Sequence, residues 1–293
     1  MSKVWLISGS SRGLGRALAE AVLHNGDRLV ATARHPDQLA DLAQRFGDHV
    51  RAVALDVANA EGARRAVAAA VEAFGRLDVL VNNAGYANVN SIEDVAEDDF
   101  RAQIETNLFG AVNLTRAALP VMRAQRAGHI IQISSIGGRG ATPGLAAYQT
   151  AKWAVGGFSQ VLAKEVAPLG IKVTVVEPGG MRTDWAGSSM RIDAIRSEYQ
   201  PTVGVLTRMR ANGDVMRGDP KKVAQAIIKI ASETQAPLRL LIGSDAVFLA
   251  SQFAAARAQE DAKWKALSLS TDFDGLGDFA DTPIAKQLAA MQN

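Results

Sequence analysis

The amino-acid sequence predicts an α/β fold in which helices cover both faces of a doubly wound sheet of about seven parallel strands. Short apolar runs, mostly β-branched, alternate with longer segments of helical period, and the runs are apolar throughout instead of at every second residue. Strands of that kind are buried on both faces, as they are in a parallel sheet between two helical layers. The predicted strands span residues 4–7, 28–33, 50–55, 77–82, 129–133, 172–177 and 238–242.

The segments between these strands have the spacing of amphipathic helices. In the first segment, apolar residues recur on one face from Leu14 to Val22, and Gly26 is placed to end the helix. A long helix is predicted over residues 95–126, with a bend near Pro120. This alternation of strands and helices indicates a Rossmann-type fold in a single domain.

Two regions depart from the alternation and define the predicted domain organisation. Residues 184–220 show no clear period, which is typical of a functional lid or of disorder, and we assign them as a substrate lid. The chain from residue 244 to residue 293 contains an amphipathic helix at about 247–267 and then a tail rich in Gly and Asp. We therefore expect a dinucleotide-binding catalytic domain at 1–243 and a C-terminal helical extension at 244–293.

Composition excludes several classes of function. The 293 residues are 48% hydrophobic, and the 32 basic side chains are scattered among 30 acidic ones, so no nucleic-acid partner is expected. There is no cysteine, and the four histidines lack metal-ligand spacing, so we expect no disulfide, thiolate nucleophile or metal site. The sequence shows no signal peptide and no membrane span, which predicts a cytoplasmic location without membrane association.

A glycine-rich segment follows the first predicted strand and opens the first helix. Glycines at such a turn let the backbone approach a pyrophosphate, whose charge meets free N–H groups and the helix dipole. The alternative is a turn that only packs the strand on the helix. We assign the segment to cofactor binding through Gly9, Ser11, Arg12, Gly13, Leu14 and Gly15.

The same segment also matches the nucleophile elbow of α/β-hydrolases, with Ser11 between Gly9 and Gly13. A hydrolase of that kind needs an acid and then a histidine further along the chain. The last histidine, His129, is predicted at the N-terminal end of its strand, whereas sites in open α/β sheets lie at the other end. The sequence therefore argues against the hydrolase.

The end of the second strand indicates which dinucleotide is bound. A site for NAD normally has an acid there for the ribose 2′-hydroxyl, and a site for NADP offers an arginine to the 2′-phosphate. Here the chain has Arg34 and no acid, and Arg12 adds a cation near a helix N-terminus, where only an anion would stabilise it. Each arginine alone is compatible with a solvated surface side chain, but together they predict NADP.

Tyr148 and Lys152 lie one helical turn apart on a predicted helix, and Ser135 ends the strand before it. An ammonium group near a phenol lowers the phenol's pKa from about 10, which makes tyrosine an acid or base near neutral pH. An amphipathic tyrosine with an unrelated surface lysine is the commoner meaning of this spacing. The pair alone does not define a catalytic site.

In combination, these motifs resemble those of the short-chain dehydrogenase/reductase family. The resemblance spans residues 4 to about 243, and the serine precedes the tyrosine by the family's interval of thirteen positions. It departs only slightly: Ser8 stands where threonine is usual, Gln132 where asparagine is common, and Gly180 is an extra glycine. The matching residues are Gly9, Gly13, Gly15, Asp56, Val57, Asn82, Asn83, Ala84, Gly85, Asn107, Ser135, Tyr148, Lys152, Pro178, Gly179 and Thr183.

The resemblance implies a role for each of these positions. Tyr148 would be the general acid for carbonyl reduction, Lys152 would lower its pKa and bind the nicotinamide ribose, Ser135 would hold the substrate oxygen, and Asn107 would hold a water in a proton relay. Asp56 and Val57 would flank the adenine, and residues 82–85 would line the cofactor cleft. Pro178, Gly179 and Thr183 would seat the nicotinamide carboxamide.

These implications predict an NADP(H)-dependent oxidoreductase that interconverts a carbonyl compound and its alcohol. We expect it to reduce an apolar or aromatic ketone or aldehyde, in a pocket lined by Tyr86, Leu145, Trp185, Met190 and Tyr199, unless these residues only pack the lid onto the body. The C-terminal portion resembles the 17β-hydroxysteroid dehydrogenase-like branch, and the family implies a homodimer or homotetramer formed through residues 95–126 and 148–167. The alternative is a non-catalytic sensor of NADP(H).

Overall fold

The structure, a computed structural model, describes residues 2–183, 190–211 and 216–290. Within these residues the sheet has seven strands, all parallel, in the order β3-β2-β1-β4-β5-β6-β7. The predicted fold class is confirmed, and each strand begins and ends within about two residues of the prediction. The strands are β1 (Val4–Ile7), β2 (Arg28–Ala33), β3 (Val50–Ala54), β4 (Val79–Asn82), β5 (Gly128–Ile133), β6 (Ile171–Pro178) and β7 (Arg239–Ile242).

Helices cover both faces of this sheet and divide the core in two. Because side chains alternate along a strand, Trp5 and Ile7 of β1 belong to one core cluster, and Val4 and Leu6 belong to the other. The first cluster contains α1 (Gly13–His24), α2 (Ala40–Phe46) and α8 (Pro220–Ser232). The second contains α3 (Ala60–Phe74), α5 (Gly110–Gln125) and α6 (Ala146–Val166).

The strand order reverses at β1, which pairs with β2 on one side and with β4 on the other. The connections that leave the two strands therefore diverge and open a crevice at their carboxyl ends, which is where ligands bind in doubly wound folds. The predicted cofactor and catalytic segments follow strands at this edge of the sheet.

The long helix predicted over residues 95–126 is one helical run with a π-helical turn inside it. It comprises α4 (Glu97–Ile104), the π turn Glu105–Phe109 and α5, and it continues through Pro120. A Cβ at Gly110 would lie only 2.5 Å from Val57 Cγ2, so the glycine lets the helix approach the loop after β3 closely. Turns of this kind are frequent at functional sites, and this one contains Asn107.

The segment assigned as a lid contains more regular structure than its sequence pattern predicts. Its described part has a 3₁₀ turn at Ser197–Tyr199 and a helix, α7 (Val203–Ala211), and Ile192 forms a parallel bridge with Val89. The expectation of an irregular insert is therefore wrong for these residues. The helix lacks a marked apolar face, so its sequence did not show a helical period.

The chain divides into two compact units, Met1–Ala250 and Ser251–Asn293. Helix α9 (Ser244–Leu269) begins in the first unit and ends in the second, which also contains α10 (Pro283–Ala290). Within the described part of the chain, we find no helix that is long and apolar enough to cross a membrane.

Candidate active site

The glycine segment after β1 forms a tight turn against the start of α1. Gly9 and Gly13 have φ values of +70° and +57°, which side-chain-bearing residues rarely adopt, and a Cβ at Gly15 would overlap the Gly9 carbonyl oxygen. Arg12, at the N-cap position of α1, makes no side-chain capping hydrogen bond within the described structure, and the first turn contains no acidic residue. The N–H groups at this positive helix end therefore suit a bound anion such as a pyrophosphate.

Ser8 connects this turn to the segment that follows β4. Its hydroxyl oxygen accepts hydrogen bonds from the backbone N–H groups of Asn83 and Ala84, at 2.9 and 3.0 Å. In return, the side-chain amide of Asn83 donates hydrogen bonds to the carbonyl oxygens of Ser8 and Gly9, at 2.9 and 3.2 Å. Residues 82–85 are thus held beside the glycine turn, and a serine in place of threonine retains the hydroxyl that does this.

A cleft of about 370 Å³ lies beyond the ends of β2 and β3. Two of the residues predicted to bind the cofactor, Arg34 and Asp56, line this cleft, whereas Arg12 is not among its lining residues. Arg65 of α3 also lines the cleft but was not predicted, because an arginine four residues after Glu61 on a helix resembles an ordinary surface ion pair. The cleft is lined by Arg34, His35, Ala54, Leu55, Asp56, Asn59, Gly62 and Arg65.

Tyr148 and Lys152 occupy the first turns of α6 and are both buried. The Lys152 ammonium donates a hydrogen bond to the Ile133 carbonyl oxygen at 2.8 Å and lies 5.5 Å from the centre of the Tyr148 ring. Burial lowers the pKa of Lys152 to about 8. The lysine is 5% exposed, so its location contradicts the alternative of an unrelated surface side chain.

Asn107 lies beside this pair, and two backbone carbonyls hold its side chain in place. Its amide nitrogen donates to the oxygens of Gln103 and Tyr86, at 2.8 and 2.9 Å, and its Oδ1 is buried without a hydrogen-bond partner among the described residues. A Cβ at Gly85 would lie 2.5 Å from that Oδ1 and 3.5 Å from Lys152 Nζ. The amide oxygen and the ammonium therefore border the same small space.

Ser135 lies in the turn that connects β5 to α6. Its hydroxyl oxygen accepts a hydrogen bond from the Gly137 N–H at 3.1 Å and so caps the 3₁₀ turn Ile136–Gly138. That turn packs on α6, since a Cβ at Gly138 would lie 3.0 Å from the Lys152 carbonyl oxygen. The serine, the tyrosine and the lysine thus belong to one packed unit at the carboxyl edge of the sheet.

The segment after β6 reaches from the sheet back to the glycine turn. Gly179 donates a backbone hydrogen bond to Ile242 at 2.9 Å, which fixes the start of the segment beside β7. Further along, Thr183 lies against Gly13, where an added Cβ would be 3.6 Å from the threonine Cβ. Pro178, Gly179 and Thr183 therefore border the same crevice as the glycine turn.

Three of the predicted pocket residues pack in one apolar cluster with Tyr148. This cluster contains Leu145 and Met190, with Tyr199 partly buried against it, together with Ala87, Val89 and Val203.

Tyr86 has different surroundings from that cluster. Burial and the charge of Asp99 raise the pKa of its phenol, while the positive charge of Arg34 and a hydrogen bond with Thr106 oppose the rise. Trp185 lies outside the described residues.

His129 is the second residue of β5, at the sheet edge opposite to Ser11. Its Nε2 is 2.9 Å from the Thr174 hydroxyl, and burial, followed by the charges of Lys172 and Lys3, lowers its pKa to about 3. The geometry required by the hydrolase alternative is therefore absent for this histidine. Among the described residues, we find no group of three or more potential ligands that could hold a metal ion.

Comparisons with known proteins agree with this architecture. A family model described as short chain dehydrogenase matches residues 3–192. The oxidoreductase BOA17 of Botryotinia fuckeliana is 52% identical over 92% of this chain and 100% of its own length. A solved short-chain dehydrogenase from Streptomyces avermitilis has a TM-score of 0.87 and 38% identity, and the match covers 93% of this chain and 99% of that one.

An alcohol dehydrogenase from Thermococcus sibiricus, solved with 5-hydroxy-NADP, is more distant. It has a TM-score of 0.69 and 26% identity, and the match covers 83% of this chain and 96% of that chain. The present chain belongs to the short-chain dehydrogenase family and is an oxidoreductase of the kind that uses NAD or NADP.

Proposed function

We propose that this protein is an NADP(H)-dependent reductase of an apolar or aromatic ketone or aldehyde. The observation that carries the proposal is that Lys152 and Asn107 converge beside Gly85, with the Tyr148 ring 5.5 Å from the lysine ammonium, next to a glycine turn suited to a pyrophosphate. Isolated motifs do not require such convergence. A reductase does require it, because its proton donor must lie beside the hydride donor.

The cofactor would be held by the segments at the carboxyl edge of the sheet. The turn from Gly9 to Gly15 would bind the pyrophosphate, Asp56 and Val57 would flank the adenine, and the segment from Pro178 to Thr183 would hold the carboxamide. The bound nicotinamide supplies the hydride. Every other chemical role falls to side chains of this protein.

Tyr148 would donate the proton to the carbonyl oxygen of the substrate while Ser135 holds that oxygen. Lys152, kept close to the phenol by its bond to Ile133, would lower the phenol's pKa through its positive charge. A water between Asn107 Oδ1 and Lys152 Nζ would satisfy both groups and return a proton to the tyrosine from solvent.

The preference for NADP is supported by the charges of the cleft beyond β2. Arg34 and Arg65 line it, no acid ends β2, and a 2′-phosphate placed there would meet two guanidinium groups. The Thermococcus sibiricus alcohol dehydrogenase was solved with an NADP derivative. An apolar substrate is supported by Leu145, Met190 and the other members of the cluster around Tyr148.

We also propose that the protein is a cytoplasmic homodimer or homotetramer. Exposed apolar side chains on the long helical run and on α6 support an interface there: Phe109 is 45%, Trp153 is 41% and Val161 is 58% exposed. Light scattering with size-exclusion chromatography would determine the number of subunits. A monomer would contradict this interface.

The proposed reaction can be tested by measuring NADPH oxidation by the purified chain with a panel of apolar ketones, aldehydes and quinones, using NADH as the comparison. We expect turnover with at least one apolar carbonyl compound and a kcat/KM for NADPH about tenfold or more above that for NADH. One hydrogen bond to a charged group contributes about 1.5 kcal/mol, and about 1.4 kcal/mol corresponds to a factor of ten. Binding of NADPH without turnover of any compound would favour a sensor instead. Better turnover with NADH would contradict the roles given to the arginines.

A further inference from the structure

The most unusual group near the proposed site is the buried carboxylate of Glu177, which is 0% exposed and directly precedes Pro178. Arg239 Nη1 donates to Glu177 Oε1 at 2.6 Å, and Arg139 Nε donates to Glu177 Oε2 at 2.8 Å. A second nitrogen of Arg139 contacts the same oxygen. Each carboxylate oxygen therefore binds its own guanidinium group.

A buried ion pair of this kind is not needed to form the strand. Burying the charges costs free energy that their attraction only partly offsets, and apolar residues of similar size often give equal or greater stability. The neighbouring side chains of β6 are apolar, as Val175 and Val176 show. The buried carboxylate is therefore better explained by the segments that its two arginines connect.

Arg139 connects Glu177 to the turn that contains the proposed substrate-binding serine. It follows directly after the turn Ile136–Gly138, which Ser135 caps. The Glu177 carboxylate therefore fixes the end of that turn against the end of β6.

Arg239 connects the same carboxylate to the helix that contains Tyr148 and Lys152. It lies across α6 at Gly156, where a Cβ would be 2.9 Å from Arg239 Nη2. With its amide oriented to satisfy the guanidinium, Gln160 accepts from Arg239 Nε and Nη2 at 3.0 and 2.9 Å. One carboxylate thus joins the serine turn, the tyrosine helix and the start of the segment from 178 to 183.

A second carboxylate holds the segment from 178 to 183 at Gly180, two residues after Pro178. Asp245, in the first turn of α9, accepts a hydrogen bond from the Gly180 N–H at 2.7 Å. Its carboxylate packs so closely on Gly179 that an added Cβ there would overlap both oxygens. The start of the segment is therefore fixed on both sides by acidic side chains.

We propose that Glu177 is a positioning residue, which sets the distance between the proposed nicotinamide segment and the groups that hold and protonate the carbonyl. The proposal rests on the function proposed above. Hydride transfer depends steeply on the placement of the reacting atoms, and a misplacement of about 1 Å can cost about a hundredfold in rate. The adenosine half of the cofactor would be held in the cleft beyond β2 and β3, whose lining does not include Glu177, so its affinity should not depend on that carboxylate.

The test is Glu177→Gln in the full chain. The amide keeps the shape of the side chain but presents N–H groups to one of the two arginines, so the connection is broken on that side. We expect hydride transfer in a single turnover from NADPH to slow by about 10- to 100-fold and its primary deuterium isotope effect to rise. Affinity for 2′,5′-ADP, a probe without nicotinamide, should remain within about twofold. Glu165→Gln, an exposed change on α6, is the matched control and should alter neither quantity.

Asp245→Asn provides a second test that leaves the buried ion pair intact. The variant keeps an acceptor for Gly180 but replaces the other carboxylate oxygen by an NH₂ group, and we expect a loss of about tenfold in the same transfer rate with 2′,5′-ADP affinity unchanged. If Glu177→Gln fails to fold, Glu177→Asp decides between the outcomes, because aspartate keeps the charge but is one methylene shorter and cannot hold both arginines at the same distances.

A wild-type transfer rate in the folded Glu177→Gln chain, or parallel losses of transfer rate and 2′,5′-ADP affinity, would overturn the positioning role. If Glu177→Asp must decide, the same two results overturn it. Failure of the wild-type chain to bind 2′,5′-ADP or to oxidise NADPH would instead refute the proposed function.

Discussion

Replacing Lys152 by methionine should abolish catalysis and yet stabilise the protein at neutral pH. Burial lowers the pKa of this lysine from 10.5 to about 8. Each tenfold change in an equilibrium corresponds to about 1.4 kcal/mol, so the buried charge destabilises the folded state by about 3 kcal/mol at pH 7. Methionine removes this destabilisation but leaves the Ile133 carbonyl, now bonded to Nζ, without a donor, at a cost of about 1 kcal/mol. The variant should therefore be about 2 kcal/mol more stable.

The pH dependence of stability provides a second, independent test of this prediction. Between about pH 8 and pH 10.5 the unfolded wild-type chain binds more protons at Lys152 than the folded chain does, so wild-type stability rises with pH through this window. The advantage of Lys152→Met should therefore shrink as the pH rises. Above the window it should reverse to a deficit of about 1 kcal/mol, because only the lost hydrogen bond remains.

Reversible urea unfolding without cofactor, near pH 7 and near pH 10, measures this change: the advantage of the variant should fall from about 2 kcal/mol to near zero. Lys164→Met is the matched control, since Lys164 is an exposed lysine on the same helix and its change should have little effect on stability at either pH. A variant at position 152 that is less stable than the wild type near pH 7 would refute the reasoning, as would a difference that does not depend on pH.

Two further predictions follow from the cleft and from the opposite edge of the sheet. Arg34→Ala and Arg65→Ala should each raise the KM for NADPH by about tenfold without changing the KM for NADH, because each removes one contact to a 2′-phosphate. Arg64→Ala, which lies outside the cleft lining, should change neither KM. An equal effect of all three variants in steady-state kinetics would contradict this site. His129 lowers stability as the pH falls from 6.5 towards 3, because the unfolded chain takes up a proton there that the folded chain does not. His129→Leu should therefore make stability depend less on pH in this range, as measured by acid unfolding followed by circular dichroism. An unchanged pH dependence would contradict this.

The strands and the positions of the site segments could be predicted from local sequence because their signals are local. A buried parallel strand is apolar throughout, and the segments after Ile7, Asn82 and Ile133 follow their strands directly. The topology then brings these segments to one edge of the sheet without any further information.

The remaining features depend on contacts between distant residues and have no local signal. The π turn around Asn107 depends on how closely Gly110 approaches Val57. The two arginines that hold Glu177 lie 38 and 62 positions away from it, so their pairing is visible only in the folded structure.

In the proposed reaction, Tyr148 protonates the carbonyl oxygen while the rest of the site binds the cofactor. Tyr148→Phe removes only the phenolic hydroxyl, so we expect kcat with the best ketone of the panel to fall by at least about a hundredfold, within the range general acids contribute. In the same variant the Kd for NADPH, measured by fluorescence titration, should remain within about threefold of the wild type. Ketone reduction by Tyr148→Phe at a rate close to that of the wild type would contradict the account.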